Sequence, residues 1–258
     1  CCMKLFIVAR QKELIPDYKK EIIKYGFSYS KENPDIILSI GGDGTYLVAE
    51  KLFPNTPKLL IRETSLRSKF SPLLFAPILK QLKEGKYKID EWIRIECAYK
   101  NYAMVASNDI IIRNQDQRQA IRFRVIVDNI PLRHEHIGDG VVISTPWGSS
   151  GYFYSITKRS FKKGIGIALN NTNTERREIV IKDNSKIDII ITRGDANLSF
   201  DNAKKEFTVK AGDKITIKKY KKEAKIVTLK SQKYNYASIT FMQETGHDSS
   251  ASLFQPIS

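Results

Sequence analysis

The protein has 258 residues, of which 41% are hydrophobic and 28% are charged, and no apolar run approaches the ~20 residues that a membrane-spanning helix needs. This balance excludes collagen-like, membrane-spanning and wholly disordered chains, and the length allows one large domain or two smaller ones. Lys and Arg number 43 against 28 Asp and Glu, a formal net charge of +15. We therefore expect an anionic partner: nucleic acid, an acidic membrane surface or a phosphorylated small molecule.

The first 85 residues alternate between strand and helix patterns. Apolar runs predict strands, and apolar residues at helical spacing predict helices between them. In chain order these are a strand at 3–10, a helix at 12–25, a strand at 35–40, a helix at 46–53, a strand at 59–62 and a helix at 73–84. Such alternation predicts an α/β domain over residues 1–85, with a parallel sheet flanked by helices.

The pattern changes after Gly85 to many short alternating runs separated by turn pairs such as Asp-Asn and Gly-Asp. Strands at this spacing predict an all-β, β-sandwich-like domain over residues 86–231. An aromatic-rich stretch at 236–243 follows. We expect the C-terminal segment 232–258 to return and complete the first domain.

Cysteine usage bears on the compartment. The chain has three cysteines, too few for a disulfide framework, and no paired CxxC motif. The N-terminal residues lack the pattern of a secretory signal. We expect a reducing, cytoplasmic location.

The strongest local motif is the sequence GGDGT at 41–45, between a buried strand and a helix. Its glycines allow a tight turn close to a ligand, and the free amides of the following helix suit phosphate oxygens. Asp43 beside a phosphate is useful if it orients a hydroxyl nucleophile or helps to hold a divalent metal. The alternative is a plain strand-to-helix turn in which Asp43 is a helix cap.

Two further motifs lie in the second half. Asp139 and Gly140 open the sequence DGVVISTPWGSSGY, in which an apolar strand leads into hydroxyl, glycine and aromatic residues suited to a sugar or a base. Asn108 and Asp109 are a polar pair inside an apolar run, which indicates either a ligand-facing pair or a hydrogen-bonded bulge.

Taken in this order, the three motifs resemble those of the NAD kinase family. The resemblance spans most of the chain and implies an N-terminal α/β domain, a C-terminal β-rich domain and a nucleotide between them. It implies transfer of a phosphoryl group from ATP, or polyphosphate, to the adenosine 2′-hydroxyl of NAD to give NADP. Mg²⁺ or another divalent metal is the implied cofactor, and association into a homo-oligomer, a dimer or tetramer, is implied as well.

The resemblance also assigns roles by position. Asp43 is the implied catalytic base that accepts the proton of the 2′-hydroxyl, and no residue is assigned as a metal ligand. Asp201, in LSFDNA, lies where the family usually has Asp-Gly-Gln. The nucleotide-binding residues implied in this way are Gly41, Gly42, Gly44, Thr45, Asn108, Asp109, Asp139, Ser150, Gly151, Tyr152, Ser155 and Asp201.

The sequence departs from the family pattern at three places. The segment LLIRETSLRSKF at 59–70 lacks the family's Asn and glycines, Trp147 replaces a small residue, and the stretches SITKRSFKKG and ALNNTN replace the usual segments after the loop. We expect Trp147 to fill part of the nucleotide pocket. A divergent or inactive paralogue that binds another nucleotide is the alternative.

Two other functions remain open at this point. A lipid-type kinase shares the GGDG sequence but needs an apolar acceptor pocket, whereas the hydroxyl-rich stretch at 144–155 favours a nucleotide. A basic nucleic-acid-binding protein would use the overall charge and the KKYKK run at 218–222. It leaves GGDGT unexplained, and we expect neither nucleic acid nor a membrane to be a partner.

Overall fold

The computed structural model describes residues 2–62, 72–174 and 177–230. The C-terminal segment expected to complete the first domain, 232–258, lies outside the described residues. Four α-helices are present in these ranges: α1 (Ile15–Lys24), α2 (Asp43–Leu52), α3 (Pro72–Lys83) and α4 (Tyr152–Thr157). The strands are β1 (Lys4–Ala9), β2 (Ser28–Tyr29), β3 (Ile36–Ile40), β4 (Lys58–Ile61), β5 (Tyr87–Trp92), β6 (Ile95–Tyr99), β7 (Tyr102–Ala106), β8 (Asp109–Asn114), β9 (Ile121–Val127), β10 (Ile130–Pro131), β11 (His136–Gly138), β12 (Gly140–Ser144), β13 (Ile165–Asn170), β14 (Glu178–Ile181), β15 (Ile187–Arg193), β16 (Ala196–Phe200), β17 (Phe207–Val209), β18 (Lys214–Lys219) and β19 (Ala224–Leu229).

The first sheet has the strand order β2-β1-β3-β4-β19-β5. Its pairs are parallel from β2 through to β19, and only β19 and β5 are antiparallel. Every residue of β3 is buried, as expected for a central strand that is covered on both faces. Helices α1 and α3 share a core with one face of this sheet, and α2 packs on the other. The predicted α/β domain with a parallel sheet is confirmed.

The second and third sheets are antiparallel and form a sandwich. Their strand orders are β10-β9-β15-β18-β6-β7, with β11 also paired to β9, and β14-β13-β12-β8-β16-β17. Alternating apolar residues from both sheets form one continuous core, which includes Phe123, Ile143 and Ile189. The predicted β-sandwich-like second domain is thus present, and α4 covers the outer face of the third sheet.

The chain does not change sheets where its composition changes. The alternating run at 87–97 predicts one strand, but the structure contains two, β5 in the first sheet and β6 in the second. Strand β19 also pairs within the first sheet, beside β5. The chain therefore passes between the units near Arg94, between β5 and β6, and near Glu223, between β18 and β19. The antiparallel pairing of β5 with β19 needs no helical connection of the kind that parallel strands require.

A buried ionic group lies where the chain crosses between the units. Glu50 of α2 contacts Lys58 of β4 and Arg94, whose Nη1 lies 2.8 Å from the Glu50 carboxylate. All three residues are at most 5% exposed. Arg94 Nε also donates to the Lys222 carbonyl at 2.9 Å, and the Tyr220 amide donates to the Arg94 carbonyl at 2.8 Å. Arg94 thus ties the two crossings together.

Within the described ranges, no helix combines the length and the apolar character needed to cross a membrane.

One titratable residue inside the sandwich allows a test of the fold. His136 of β11 is 3% exposed and stacks on Phe123 with ring centroids 5.4 Å apart. Within the described part of the chain neither ring nitrogen has a hydrogen-bond partner. Burial, followed by the charge of Arg133, lowers the pKa of His136.

We predict that His136→Phe reduces the acid sensitivity of the fold. The unfolded chain binds a proton to this histidine more readily than the folded chain, so the stability of the parent falls as the pH drops through about 6.5. Urea unfolding at several pH values from 5 to 8 measures the free energy of unfolding. The exposed His134→Phe is the matched control and should keep the parental slope. An equal slope in the parent and His136→Phe would contradict the prediction.

Candidate active site

The GGDGT motif forms the connection between β3 and α2. Gly41 is buried with a φ of 148°, and its amide donates to the Ile61 carbonyl at 2.9 Å. A Cβ at Gly41 would lie 2.3 Å from the Thr45 hydroxyl oxygen, so only glycine fits. Gly42 then precedes α2, whose first residue is Asp43.

Asp43 is exposed at the start of α2. The N-cap residue is Gly42, which has no side chain to cap the helix, and the positive end of a helix backbone suits an anionic group. The helix begins three residues earlier than the sequence predicted, because Gly44 and Thr45 continue it. The predicted base therefore lies beside backbone donors suited to phosphate.

Asp201 shapes the turn that carries Asn108 and Asp109. Its Oδ2 accepts a hydrogen bond from the Ser107 amide at 2.9 Å, and its Oδ1 accepts from the amides of Asn108 at 2.8 Å and Asp109 at 3.3 Å. The Asp201 amide donates to the Asp109 carbonyl at 3.0 Å. The two segments are thus fixed to each other, although 92 residues separate Asp109 from Asp201.

The two carboxylates influence each other. Burial first, and then the negative charge of Asp201, raises the pKa of Asp109 to about 7. Burial also raises the pKa of Asp201, while its three amide donors oppose that effect. Asp109 therefore changes its protonation near neutral pH and can donate or accept a hydrogen bond there.

The loop after β12 lies against the same turn. Thr145 donates from its hydroxyl to the Ser107 carbonyl at 2.6 Å and from its amide to the Asn108 carbonyl at 2.9 Å. Its hydroxyl also accepts from the Gly148 amide at 3.1 Å. A Cβ at Gly148 would lie 2.3 Å from the Asn108 carbonyl oxygen. Close backbone contact therefore requires glycine at this position.

The second half of the loop leads into α4. Ser150 and Gly151 are exposed, and Tyr152 is half-buried with its hydroxyl 3.2 Å from the Asn170 side-chain amide. Ser155 is exposed, and its hydroxyl donates to the Tyr152 carbonyl at 2.7 Å. The Gly151 amide donates to the Gly148 carbonyl at 2.9 Å, and the Gly151 carbonyl accepts from the Ser155 amide at 3.1 Å. This stretch therefore offers a ligand exposed surface rather than free backbone groups of Gly151.

Asn202 joins the two units across the site. Its side-chain amide donates to the Gly44 carbonyl at 3.3 Å, so the residue after Asp201 contacts the residue after Asp43. The structure thus brings together the GGDGT turn, the Asn108–Asp109 turn, Asp201 and the loop beginning at Thr145. Sequence reasoning missed Asn202, Thr145 and Gly148; the compact STPWG sequence was the available signal for the last two.

Asp139 lies elsewhere. Strands β12 and β8 are antiparallel, with Ser144 opposite Asp109 and Gly140 opposite Arg113. Asp139 therefore lies at the far end of β12, roughly 15 Å along the strand from the Asn108–Asp109 turn. It accepts a hydrogen bond there from the Asn171 side chain at 3.2 Å.

Trp147 packs between the two units. Its ring centroid is 5.3 Å from that of Tyr46 in α2 and 5.3 Å from that of Trp92 in β5. Tyr46 is 1% exposed, so its ring is part of the packing between the units. The indole that the sequence placed in the nucleotide pocket thus contacts the helix that begins at Asp43.

Comparisons with known proteins place this geometry in a family. The sequence model for the ATP-NAD kinase C-terminal domain matches residues 107–229, which include the Asn108–Asp109 turn, the β12 loop and Asp201. An NAD kinase from Carboxydothermus hydrogenoformans is 26% identical over 217 residues, covering 79% of this chain and 77% of that protein. An NAD kinase from Sulfurisphaera tokodaii is 32% identical over 154 residues, covering 57% and 59%. These matches support membership of this chain in the NAD kinase family.

Solved structures agree on the fold. Yeast NADH kinase complexed with NADH has a TM-score of 0.80 at 16% identity, covering 97% of this chain and 90% of that one. An NAD kinase from Archaeoglobus fulgidus in complex with ATP has a TM-score of 0.71 at 21% identity, covering 90% and 95%. The NAD kinase homologues indicate that the protein is a phosphotransferase. These similarities favour neither the lipid-type kinase nor the nucleic-acid-binding protein.

The raised pKa of Asp109 leads to a stability prediction. The folded chain holds its proton up to about pH 7, whereas the unfolded chain loses it near 3.9. Ionisation of Asp109 therefore costs stability as the pH rises through this window. We predict that Asp109→Asn gains stability relative to the parent between pH 4 and 7, by up to about 4 kcal/mol at about 1.4 kcal/mol per pKa unit.

Chemical denaturation across this pH range measures the gain, and Asp17→Asn on α1, where the side chain is 46% exposed, is the control. A constant difference between parent and Asp109→Asn from pH 4 to 8 would show that Asp109 titrates normally.

The contact at Gly148 leads to a second prediction. In Gly148→Ala the new methyl group meets the Asn108 backbone, and the loop must move away from the turn. We expect a loss of stability of about 1–3 kcal/mol, typical of overpacking, together with weaker nucleotide binding. Thermal unfolding measures the first effect. Gly42→Ala is the stability control, because no atom of the described residues lies within 4 Å of its new methyl group. Equal losses in both variants would argue against the close contact.

Proposed function

We propose that this protein phosphorylates the adenosine 2′-hydroxyl of NAD to give NADP, with ATP as the phosphoryl donor. One observation carries the proposal. Asp43, an exposed carboxylate, is the first residue of α2, and the second residue, Gly44, contacts Asn202. Asn202 follows Asp201, which holds the Asn108–Asp109 turn. A general base, backbone donors for phosphate and a polar turn for a ribose thereby lie in one site.

The chemistry follows from this placement. The 2′-hydroxyl oxygen attacks the γ-phosphorus of ATP, and the bond from that phosphorus to the bridging oxygen breaks, releasing ADP. Asp43 accepts the hydroxyl proton as the new bond forms. The positive end of α2, with Gly41, Gly42, Gly44 and Thr45, orients the phosphate oxygens. Phosphoryl transfer depends mostly on such positioning and on charge stabilisation.

The second unit holds the dinucleotide. Asn108 and Asp109 bind the ribose and nicotinamide half, and Asp109 can donate or accept because its pKa is about 7. The adenine and its ribose contact the exposed Ser150 and Gly151, together with Tyr152 and Ser155.

We also propose a homo-oligomer, as the family resemblance implies. Asp139 lies at the far end of β12 from the Asn108–Asp109 turn. In a homo-oligomer, Asp139 contacts the substrate that is bound by a second copy of the chain. The low cysteine count supports a cytoplasmic location.

Mg²⁺ fits the residues present. Among the described residues no group of three or more His, Cys, Asp or Glu forms a preformed metal site. Magnesium needs none, since it commonly uses one or two carboxylates together with substrate phosphates. Asp43 and the ATP phosphates would hold the ion, which neutralises phosphate charge when bound.

The decisive experiment mixes purified protein with NAD, ATP and Mg²⁺ and measures NADP with an NADP-specific dehydrogenase. We expect Asp43→Asn to lower kcat at least about 100-fold, the usual contribution of a general base. Its unfolding temperature should stay parental, because Asp43 is exposed. Asp17→Asn is the activity control. Failure of the parent to make NADP with ATP or polyphosphate would refute the kinase proposal, and full activity of Asp43→Asn would refute the role of Asp43.

A further inference from the structure

A second cleft lies between the two units, on the Trp92 side of Trp147. Its volume is about 1120 Å³, large enough for a small organic ligand. One wall comes from β5 and β19 of the first sheet, and the other from residues 162–164, the end of β14 and Lys219 of β18. Trp147, which was expected in the nucleotide pocket, lines this cleft, whereas none of the residues assigned above to bind NAD or ATP does so.

The lining combines aromatic rings with positive charge. Trp92 and Trp147 are both half-buried and line the cleft. Their rings pack edge to face with each other, with centroids 5.3 Å apart and an interplanar angle of 70°. Five lysines and three carboxylates complete the charged lining. A flat ring stacks on an indole, and a phosphate is attracted by an excess of ammonium groups.

The backbone beside Lys163 and Lys182 is closely packed, which fixes the positions from which these two lysines extend. Gly164 has a φ of 92°, and a Cβ there would lie 2.2 Å from the Ile181 carbonyl oxygen. Ile165 pairs with Ile181 in neighbouring strands, which brings Lys163 and Lys182 to adjacent strand ends. Among the described residues Lys163 has no carboxylate within 4 Å, whereas Lys219 pairs with Asp183 at 3.3 Å and with Glu223 at 3.0 Å.

We propose that this cleft is a second binding site, separate from the catalytic one, for a nucleoside phosphate. The base stacks against Trp92, and the phosphate lies toward Lys163 and Lys182. Because the two walls belong to different units, the bound nucleotide bridges them. The proposal concerns residues that the kinase reaction does not use, so it stands or falls independently of that reaction.

The chain offers a direct reporter. Its only two tryptophans are Trp92 and Trp147, so Trp147→Phe leaves the Trp92 emission as a signal from the cleft alone. We use AMP as the probe, since it carries a base and a phosphate but has no γ-phosphate to transfer. We expect saturable quenching of Trp92 that weakens as salt is added. Adenosine and inorganic phosphate should each bind at least tenfold more weakly than AMP.

Charge reversal tests the location. Lys163→Glu should raise the Kd for AMP at least fivefold, and Lys221→Glu, an equal change outside the cleft lining, should leave it unchanged. Equilibrium dialysis with the two-tryptophan protein gives the same comparison without the Trp147→Phe background. KM for NAD and for ATP should stay within twofold of the parental values in Lys163→Glu.

Three results would overturn the proposal. They are the absence of AMP binding, equal AMP affinity in Lys163→Glu and the parent, or a rise in KM for ATP or NAD parallel to the rise in Kd. The last result would make the cleft part of the catalytic site. A chain that binds AMP in this way but makes no NADP would refute the kinase proposal and leave the second site in place.

Discussion

The carboxylate of Asp201 holds three consecutive backbone amides, and the geometry of the site depends on this one interaction. Removing a buried carboxylate from its amide donors would leave Ser107, Asn108 and Asp109 with unpaired N–H groups, at a cost of roughly 1–3 kcal/mol for each unsatisfied group. The turn would then lose the shape that places its carbonyls against Thr145. The loop at Thr145, the turn at residues 107–109 and the strand end at Asp201 therefore form one hydrogen-bonded unit, although they are far apart in the sequence.

Burial first, and then the charge of the Asp201 carboxylate, explains why the pKa of Asp109 lies near neutrality. The amides that satisfy Asp201 stabilise its charge, and this charge lies beside a carboxyl group that is itself 7% exposed. Two neighbouring buried carboxylates do not both ionise freely. If Asp109 binds a ligand hydroxyl as proposed, that binding is coupled to the protonation of Asp109, which also affects the stability of the fold.

Local patterns predicted most of this architecture. Strand and helix alternation predicted the parallel sheet because βαβ connections are read from nearby residues, and the GGDGT sequence predicted the turn before α2 for the same reason. Sequence did not predict that β5 and β19 join the first sheet. Tyr87 pairs with Leu229, which lies 142 residues further along the chain, and pairing partners at that distance leave no periodic signal. The contacts of Asn202 with Gly44, and of Trp147 with Tyr46, were missed because they form only when the two units meet.

The return of β19 beside β5 has a mechanical consequence. The sandwich is an insertion in the first domain, entered and left through adjacent antiparallel strands, so both covalent links pass through one narrow neck. Arg94 closes that neck by bonding to the Lys222 carbonyl and covering the Tyr220 ring at 5.2 Å. Two separate linkers would let the units slide past each other. With both links in one neck, the Gly44–Asn202 hydrogen bond and the Tyr46–Trp147 ring contact are noncovalent contacts that hold the two units together outside it.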